Sequence, residues 1–447
     1  MGTIALRVKK LLTGDKDLQE LLKGSGTALI LRIAGIVFGY LFTLAVTRTL
    51  GAKAWGIFAL CMVVLQISSV IGRLGMDTAL LRFTAEYASK GNIDVLKIIY
   101  KKILALILPF SVLTAVFVYS ISPILSNTVF HKMYLTPYFR VVSLITVPFI
   151  LLWIHSEGIR GFKKIKEYML IQQTGVFIIA LAVLLMGLML KKTLFLPLTS
   201  YGISVMVLAI ISIYMWHNYL RKPAVTNTLS QRTSSISYKS ILFVSIPMLI
   251  SSSLALVMGW TDTIMLGIFR TAQEVGIYNV ALKVSLIASL TLTAINTIAA
   301  PKFAEFWGKK DRKGLEKIIK QSTRLIFWTS LPATLLILAF PKTILKMFGE
   351  KFINGYSSLI ILTIGQFINA ASGSVNWILN MTDNQHIVQI NIAIGTMINL
   401  ILNYLLIPPL GIKGAAIATT ISMIYWNVMG IIYIKHKLGI LTFYTLR

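Results

Sequence analysis

Charged residues that lie inside long apolar stretches are the first candidates for chemistry: Arg32, Arg73, Asp262 and Lys283. A charge at the centre of a bilayer costs at least ~2.5 kcal/mol on insertion scales, so such residues are candidates for binding or transport. At a rise of ~1.5 Å per residue, Arg32 and Arg73 fall at nearly equal distances on either side of the turn near Lys53. Two cations at one depth would attract an anion, and guanidinium forks suit a diphosphate.

Each of these two arginines also has a structural interpretation. The Arg32 side chain could extend to the membrane interface, as long basic side chains do. Arg73 could pair with Asp77, which follows four residues later on the same helix face. The sequence leaves the substrate-binding and structural interpretations open.

In the second half, Asp262 and Lys283 lie at similar distances on either side of the turn near Ala272. A buried ion pair between them would tie two helices together. Alternatively, Asp262 is a proton or cation site coupled to substrate movement, and Lys283 releases it in one state. Asp77 is the second acidic candidate for ion coupling.

Other polar side chains lie near the ends of apolar runs or within them. Glu157 and Arg160 read as a solvated cluster at the cytosolic end of a span, or as a site for a lipid headgroup. Arg140 could bind substrate on the exit side, or anchor its helix at the interface. A set of asparagines could bond between helices or bind sugar hydroxyls: Asn376, Asn380, Asn399 and Asn403.

The composition indicates that most of this chain lies in lipid. It has 447 residues, of which 56% are hydrophobic, with a mean hydropathy of +0.79 and a net charge of +28. A helix needs ~20 apolar residues to cross a bilayer. Runs of that length recur about twelve times: 25–50, 56–80, 97–124, 139–158, 167–189, 194–218, 241–269, 275–300, 322–345, 355–380, 386–408 and 412–434. The sequence therefore predicts an all-α integral membrane protein with about twelve transmembrane helices.

The basic residues predict the orientation and exclude nucleic acid as a partner. With both termini in the cytosol, 29 of the 43 Lys and Arg residues fall in cytosolic segments, where they would meet anionic lipid headgroups. We therefore expect a multi-pass protein of a bacterial or archaeal cytoplasmic membrane, with residues 1–24 as a cytosolic lead-in and 435–447 as a cytosolic tail. A lone cysteine, Cys61, gives no metal site, and the sequence predicts no cofactor.

The sequence contains an internal repeat. Residues 25–92 align with 245–312 without a gap at an offset of 220, with 15 identities that include Gly39 with Gly259 and Gly56 with Gly276. We interpret this as a duplication that gives two pseudo-symmetric six-helix bundles, 25–219 and 240–434, around a central cavity. Residues 220–239 would form a cytosolic linker, and rocking of the halves would alternate exposure of the cavity.

Several motifs in this order resemble those of the polysaccharide transporter (Wzx-type flippase) family, within the multidrug/oligosaccharidyl-lipid/polysaccharide exporter superfamily. The resemblance rests on Leu50–Gly51 to Phe58, Gly75 to Phe83, Asp262 to Gly267 with Val275 to Tyr278, and Asn399 to Asn403 followed by Ile407 to Ala416. It implies a flippase, and not an enzyme, that moves polyprenyl-diphosphate-linked oligosaccharide to the outer leaflet for O-antigen, capsule or exopolysaccharide assembly. Membrane lipids, H⁺ or Na⁺ and glycan polymerases are the other partners to expect.

The lipid II flippases of this superfamily usually carry two further C-terminal helices, so a peptidoglycan precursor is not the expected substrate. The main alternative is a cation-coupled multidrug exporter of the same superfamily. The excess of bases over acids inside the spans favours an anionic substrate instead. A membrane glycosyltransferase or polymerase would need a sizeable outer domain, whereas the predicted outer connections are short.

Overall fold

The structure, a computed structural model, describes residues 16–221 and 237–443, and those residues are almost entirely helical. Short π-helical segments occur at Leu125–Val129 and Leu170–Thr174, and short 3₁₀-helical segments occur at Leu286–Ser289 and Glu350–Gly355. The helices in chain order are α1 Lys16–Arg73, α2 Met76–Ser89, α3 Ile93–Ile124, α4 Thr136–Gly161, α5 Ile165–Met169, α6 Gly175–Leu190, α7 Leu196–Leu220, α8 Tyr238–Phe269, α9 Ala272–Ser285, α10 Leu290–Gly308, α11 Arg312–Ala339, α12 Pro341–Lys346, α13 Tyr356–Ala371, α14 Val375–Met381, α15 Gln385–Leu410 and α16 Ile412–Leu438.

The number of spans agrees with the prediction of about twelve. Ten segments within the described residues are long and apolar enough to cross a membrane. One of them, Ile30–Arg73, has 44 residues and contains a sharp kink at Gly51 (φ 82°), so it accounts for two predicted spans. Helix α8 has 32 residues and coincides with the predicted seventh span.

Predicted boundaries differ from the observed ones at the end of the second span. The prediction carried that helix to residue 80, whereas α1 ends at Arg73. Leu74 (φ 52°) and Gly75 (φ 70°) adopt left-handed conformations before α2 begins. A Cβ on Gly75 would also overlap the carbonyl oxygen of Ser245 in α8, so close packing as well as backbone conformation requires glycine there.

The chain divides into two compact units. Among the described residues, the first unit comprises 16–45, 64–124, 134–221 and 237–253, and the second comprises 46–63, 125–133 and 254–443. Helix α1 therefore contributes to both. The predicted linker at 220–239 lies mostly outside the described residues, as does most of the predicted lead-in.

Within each unit a central helix organises the packing. In the first unit α4 packs against α2, α3 and α7, and in the second α16 packs against α13 and α15. Many large apolar side chains remain exposed, such as Leu113, Phe117 and Met189, with exposed fractions of 62%, 62% and 88%. Apolar patches of this extent suit a lipid environment rather than water.

Two segments that align in the internal repeat make a reciprocal helix contact in the second unit. A Cβ on Gly56 would overlap the carbonyl oxygen of Ala272, and a Cβ on Gly276 would overlap that of Ala52. In both cases the added atom would lie 2.9 Å from the amide nitrogen of the opposite glycine. The Ala-x-x-x-Gly segments that match at the offset of 220 therefore pack backbone to backbone, as small residues allow in membranes.

We predict that Gly276→Ala destabilises the protein, because the added methyl group forces these two backbones apart. Overpacking of this kind costs about 1–3 kcal/mol. Thermal unfolding of the purified protein in detergent measures the effect. The matched control is Gly259→Ala in α8, where an added Cβ meets nothing within 4 Å. Equal unfolding temperatures for the two variants would contradict the proposed contact.

Candidate functional site

The carboxylate of Asp262 collects hydrogen bonds from three other helices of the second unit. The Tyr278 hydroxyl donates to it at 2.6 Å from α9. On α15, the Nδ2 atoms of Asn399 and Asn403 donate at 3.2 and 2.7 Å. The Thr419 hydroxyl on α16 donates as well. We call these five residues the Asp262 cluster.

An anchor between α8 and α15 sets the level of the Asp262 cluster. The Arg270 guanidinium at the end of α8 donates to the carbonyl oxygens of Ile407 and Pro408, at 3.1 and 2.6 Å, near the end of α15. Asp262 lies eight residues before Arg270, and Asn399 lies eight residues before Ile407. Because both helices rise by the same distance per residue, the Asp262 carboxylate lies at the level of the Asn399 amide.

The helix that carries Tyr278 begins at a complete capping box. The Thr271 hydroxyl accepts from the Glu274 amide at 3.3 Å, and the Glu274 carboxylate accepts from the Thr271 amide at 3.1 Å. This motif fixes the first turn of α9. Tyr278 follows one turn later and is fully buried, so its hydroxyl is held against Asp262.

The oxygens of the Asp262 cluster form a set that can hold a proton or a hard cation. Besides the carboxylate and the Thr419 hydroxyl, the set includes Asn403 Oδ1, which is buried and has no hydrogen-bond donor among the described residues. Carboxylate, amide and hydroxyl oxygens are the ligands that hard cations prefer. Either ion would replace some of the present hydrogen bonds, so occupancy would be coupled to the packing of α8, α15 and α16.

Asp262 and Lys283, for which the sequence left an ion pair open, have other contacts among the described residues. Lys283 is not among the partners of Asp262, and its ammonium lies over the Trp55 ring, 5.3 Å from the ring centre. Tyr278 is already in contact with the carboxylate, and a hydroxyl can satisfy it without placing a second charge in the membrane. Both Asp262 and Lys283 remain half-buried.

Arg73 pairs with Asp77 in the first unit, as the structural interpretation predicted. Arg73 Nη1 donates to Asp77 Oδ2 at 2.9 Å, and the exposed fractions of the residues are 5% and 8%. Arg73 Nε donates to the Ser69 carbonyl at 3.2 Å, and the guanidinium lies 4.5 Å from the centre of the Trp153 ring. The sequence analysis placed the pair along one helix. In the structure the pair spans the turn between α1 and α2.

Glu157 belongs to the same buried polar region and not to a solvated cluster. Only 7% of it is exposed, and it accepts a hydrogen bond from Arg160 at 3.2 Å. Gln172, in the π-helical segment Leu170–Thr174, lies 3.5 Å from the second carboxylate oxygen. The prediction of a solvated Glu157 is therefore wrong, whereas Arg160 is exposed as expected.

The other two predicted basic ligands differ in their surroundings. Arg32 is half-buried on α1, and the adjacent Leu31 carbonyl accepts a hydrogen bond from Thr174 at 2.7 Å. Arg140 is exposed, and its guanidinium lies 5.1 Å from the centre of the Tyr119 ring. Roles for Arg32, Arg73, Arg140 and Lys283 in substrate binding stay predictions.

Two members of the Asp262 cluster, Tyr278 and Thr419, had no assigned role in the sequence analysis. Thr419 lies 157 residues from Asp262 along the chain, and nothing in local spacing connects them. The sequence signal that could have indicated the Asp262 cluster is the Asn399–Asn403 pair, because two amides one turn apart in an apolar span need a polar partner.

Comparison with known proteins gives consistent matches. The sequence model described as "Polysaccharide biosynthesis protein" matches residues 21–307, and the one described as MatE matches 247–405. A probable low-salt glycan biosynthesis flippase, Agl15 of Haloferax volcanii, is 29% identical over 182 residues, which are 40% of this chain and 39% of that protein. A putative O-antigen transporter of Shigella flexneri is 26% identical over 190 residues, 42% of this chain and 45% of that protein.

The aligned segment spans less than half of the length of each of these two relatives. Among solved structures, the lipid II flippase MurJ in an inward closed conformation superposes with a TM-score of 0.71 at 15% sequence identity. That superposition covers 93% of this chain and 87% of MurJ. At this identity the likeness shows the fold, which is that of two helical bundles.

We predict that Asp77→Asn destabilises the protein strongly, because it leaves the Arg73 guanidinium buried without its counter-charge. Breaking a buried pair from one side costs about 3–5 kcal/mol, whereas the double variant Arg73→Gln/Asp77→Asn should recover part of that loss. Thermal unfolding in detergent measures both. The matched control is Asp94→Asn, whose partner Lys97 is exposed and whose pairing contributes little. A loss no larger than that of the control would rule out a structural role for the pair.

Proposed function

The chain belongs to the polysaccharide biosynthesis protein family, and on that basis we propose that it is a flippase for polyprenyl-diphosphate-linked oligosaccharide. It would move this lipid from the cytosolic to the outer leaflet by alternating access, for O-antigen, capsule or exopolysaccharide assembly. The observation that carries the proposal is the family match over residues 21–307. The glycan flippase and the O-antigen transporter that align with parts of the chain support it.

The charges inside the spans fit an anionic substrate. Pairing with Asp77 offsets the charge of Arg73, so the cationic excess now rests mainly on Arg32 and Lys283. Both are half-buried and therefore partly accessible. Arg32 and Lys283 are each a candidate ligand of the diphosphate, with Arg73 as a weaker candidate and Arg140 as a ligand on the exit side.

A multidrug exporter is the alternative, because the MatE sequence model matches residues 247–405. Binding of organic cations needs accessible carboxylates. Here Asp262 already accepts four hydrogen bonds, and Asp77 is buried against Arg73. The geometry therefore favours the glycan lipid.

We propose that the Asp262 cluster couples transport to an ion. Na⁺ or H⁺ bound there would draw α8, α15 and α16 together, and its release would loosen them. Asp77, the second predicted candidate, is a weaker one because its carboxylate is held by the Arg73 guanidinium. We propose that this protein works in a cytoplasmic membrane, with both termini in the cytosol. A glycan polymerase would be its partner there.

We predict that a host strain without the gene accumulates a polyprenyl-diphosphate-linked saccharide, because its export to the outer leaflet is blocked. Mass spectrometry of the membrane lipids identifies the saccharide, and the intact gene should restore the normal lipid profile. Altered sensitivity to cationic drugs with no lipid accumulation would reject the proposal in favour of the exporter.

The same strain tests the anion ligands. Arg32→Gln should fail to restore export while Arg32→Lys restores part of it, because the lysine keeps the charge without the guanidinium fork. The matched control is Arg82→Gln, which removes one exposed charge and should restore export fully. Expression and membrane insertion are measured in parallel. Full export with Arg32→Gln would remove this residue from the site.

We predict that the ion raises the thermal stability of the wild-type protein and not that of Asp262→Asn. An ion at ten times its dissociation constant stabilises the folded state by about 1.4 kcal/mol. Unfolding in detergent is compared in Na⁺, in K⁺ and over a pH series without Na⁺, with Asp94→Asn as the exposed-carboxylate control. A response to Na⁺ indicates a sodium site, and a response to pH alone indicates a proton site. An unchanged response in Asp262→Asn would exclude the cluster.

A further inference from the structure

A cavity of about 420 Å³ opens at the turn between α10 and α11 in the second unit. Its floor is apolar and is formed by Phe306, Leu315, Leu438 and Ile440, of which the last three have exposed fractions of 1%, 6% and 2%. The last two residues lie at the end of α16 and just after it. The cavity therefore joins the start of α11 to the chain that follows the last helix.

Three cations stand around this apolar floor: Lys310, Arg312 and Lys437. All three are exposed residues. The one carboxylate among the lining residues, Asp311, is engaged as the N-cap of α11, where it accepts from the Gly314 amide at 2.9 Å. The rim thus carries an excess of positive charge over an apolar base.

The N-terminus of α11 adds to the attraction for an anion. This helix has 28 residues, and the backbone amides of a first turn have no partner within the helix. The Asp311 side chain satisfies one of them. The remaining amide dipoles favour a negative group at the same place as the three cations.

The position of the cavity indicates an amphiphile and not a soluble anion. It lies at one end of the segments Ala272–Gly308, Arg312–Ala339 and Ile412–Leu438, which are long and apolar enough to span a membrane, so we place it near the lipid headgroups. Trp307 also lines it and donates from Nε1 to Asp383 at 2.8 Å, with a polar tip and an apolar body as is usual at the interface. A soluble phosphate would leave the exposed parts of the Phe306 and Trp307 rings uncovered.

We propose that this cavity is a binding site for an anionic phospholipid. The phosphate lies among Lys310, Arg312 and Lys437, and the first part of an acyl chain covers the exposed parts of Phe306 and Trp307. The Lys and Arg distribution predicts that this face is cytosolic, so the lipid would come from the inner leaflet. The site is separate from the Asp262 cluster and does not depend on the proposed transport function.

Bound lipid would fasten the end of α16 to the start of α11. The structure already has one such tie, because Arg312 Nη2 donates to the Leu438 carbonyl at 2.6 Å. Lys437 bonds to Asn384 at 2.7 Å and to Tyr433 at 3.2 Å. A phosphate that bridges Arg312 and Lys437 would connect these contacts, so we expect it to raise the thermal stability of the whole chain.

The test uses the full-length protein, purified in detergent and freed of lipid. Dioleoyl phosphatidylglycerol, dioleoyl phosphatidylcholine or inorganic phosphate is added, and native mass spectrometry and thermal unfolding measure binding. We expect phosphatidylglycerol to bind and to raise the unfolding temperature, and the other two to have little effect. Equal stabilisation by inorganic phosphate would overturn the lipid assignment in favour of a soluble anion, and equal binding of phosphatidylcholine would overturn the role of charge.

Variants then locate the site. Lys310→Gln/Lys437→Gln should weaken phosphatidylglycerol binding about tenfold, because each cation near the surface contributes to the attraction. The matched control is Lys164→Gln/Lys166→Gln, which removes two exposed charges from the first unit and should change binding less than twofold. If the double variant folds poorly because Lys437 loses its bonds, Lys310→Glu alone serves, since it leaves them in place. Unchanged binding in Lys310→Glu would refute the site.

Discussion

The hydrocarbon of the bilayer offers no hydrogen bonds, and most of this structure follows from that constraint. Every backbone amide within the spans must be satisfied by its own helix, which accounts for a chain built almost entirely of helices. Charges within the spans obey the same rule. Arg73 is held by Asp77 and the Ser69 carbonyl, and Asp262 by four uncharged donors.

These two solutions have different consequences for function. The Arg73–Asp77 pair neutralises both charges and fixes the turn between α1 and α2, so it acts mainly on folding. The four donors to Asp262 carry no charge, so no fixed cation competes with an ion that would replace these hydrogen bonds. A membrane protein that must release and rebind an ion needs the second arrangement, because a fixed counter-charge would compete with the ion for the carboxylate.

The sequence predicts the spans well because their length and composition are set by the bilayer. It also identifies the repeat, and the contact between Gly56 and Gly276 agrees with the alignment. The partners of Asp262 could not be derived in the same way. Asn399, Asn403 and Thr419 come from spans 137 to 157 residues away, and their approach depends on tertiary anchors such as Arg270 on Ile407. Such anchors cannot be derived from the spacing of residues along the chain.

In the alignment that we interpret as a duplication, the candidate residues are distributed unequally between the two halves. At the offset of 220, Asp262 corresponds to Phe42 and Tyr278 to Phe58, so the first copy has no counterpart of the carboxylate or its nearest donor. Conversely, Arg32 corresponds to Ser252 and Arg73 to Thr293, so the second copy lacks these cations. The two copies kept the small residues that pack their helices, Ala52 with Gly56 and Ala272 with Gly276. If the repeat is a duplication, divergence on a shared helical frame has given one half a carboxylate in an oxygen-rich site and the other half Arg32 and the buried Arg73–Asp77 pair.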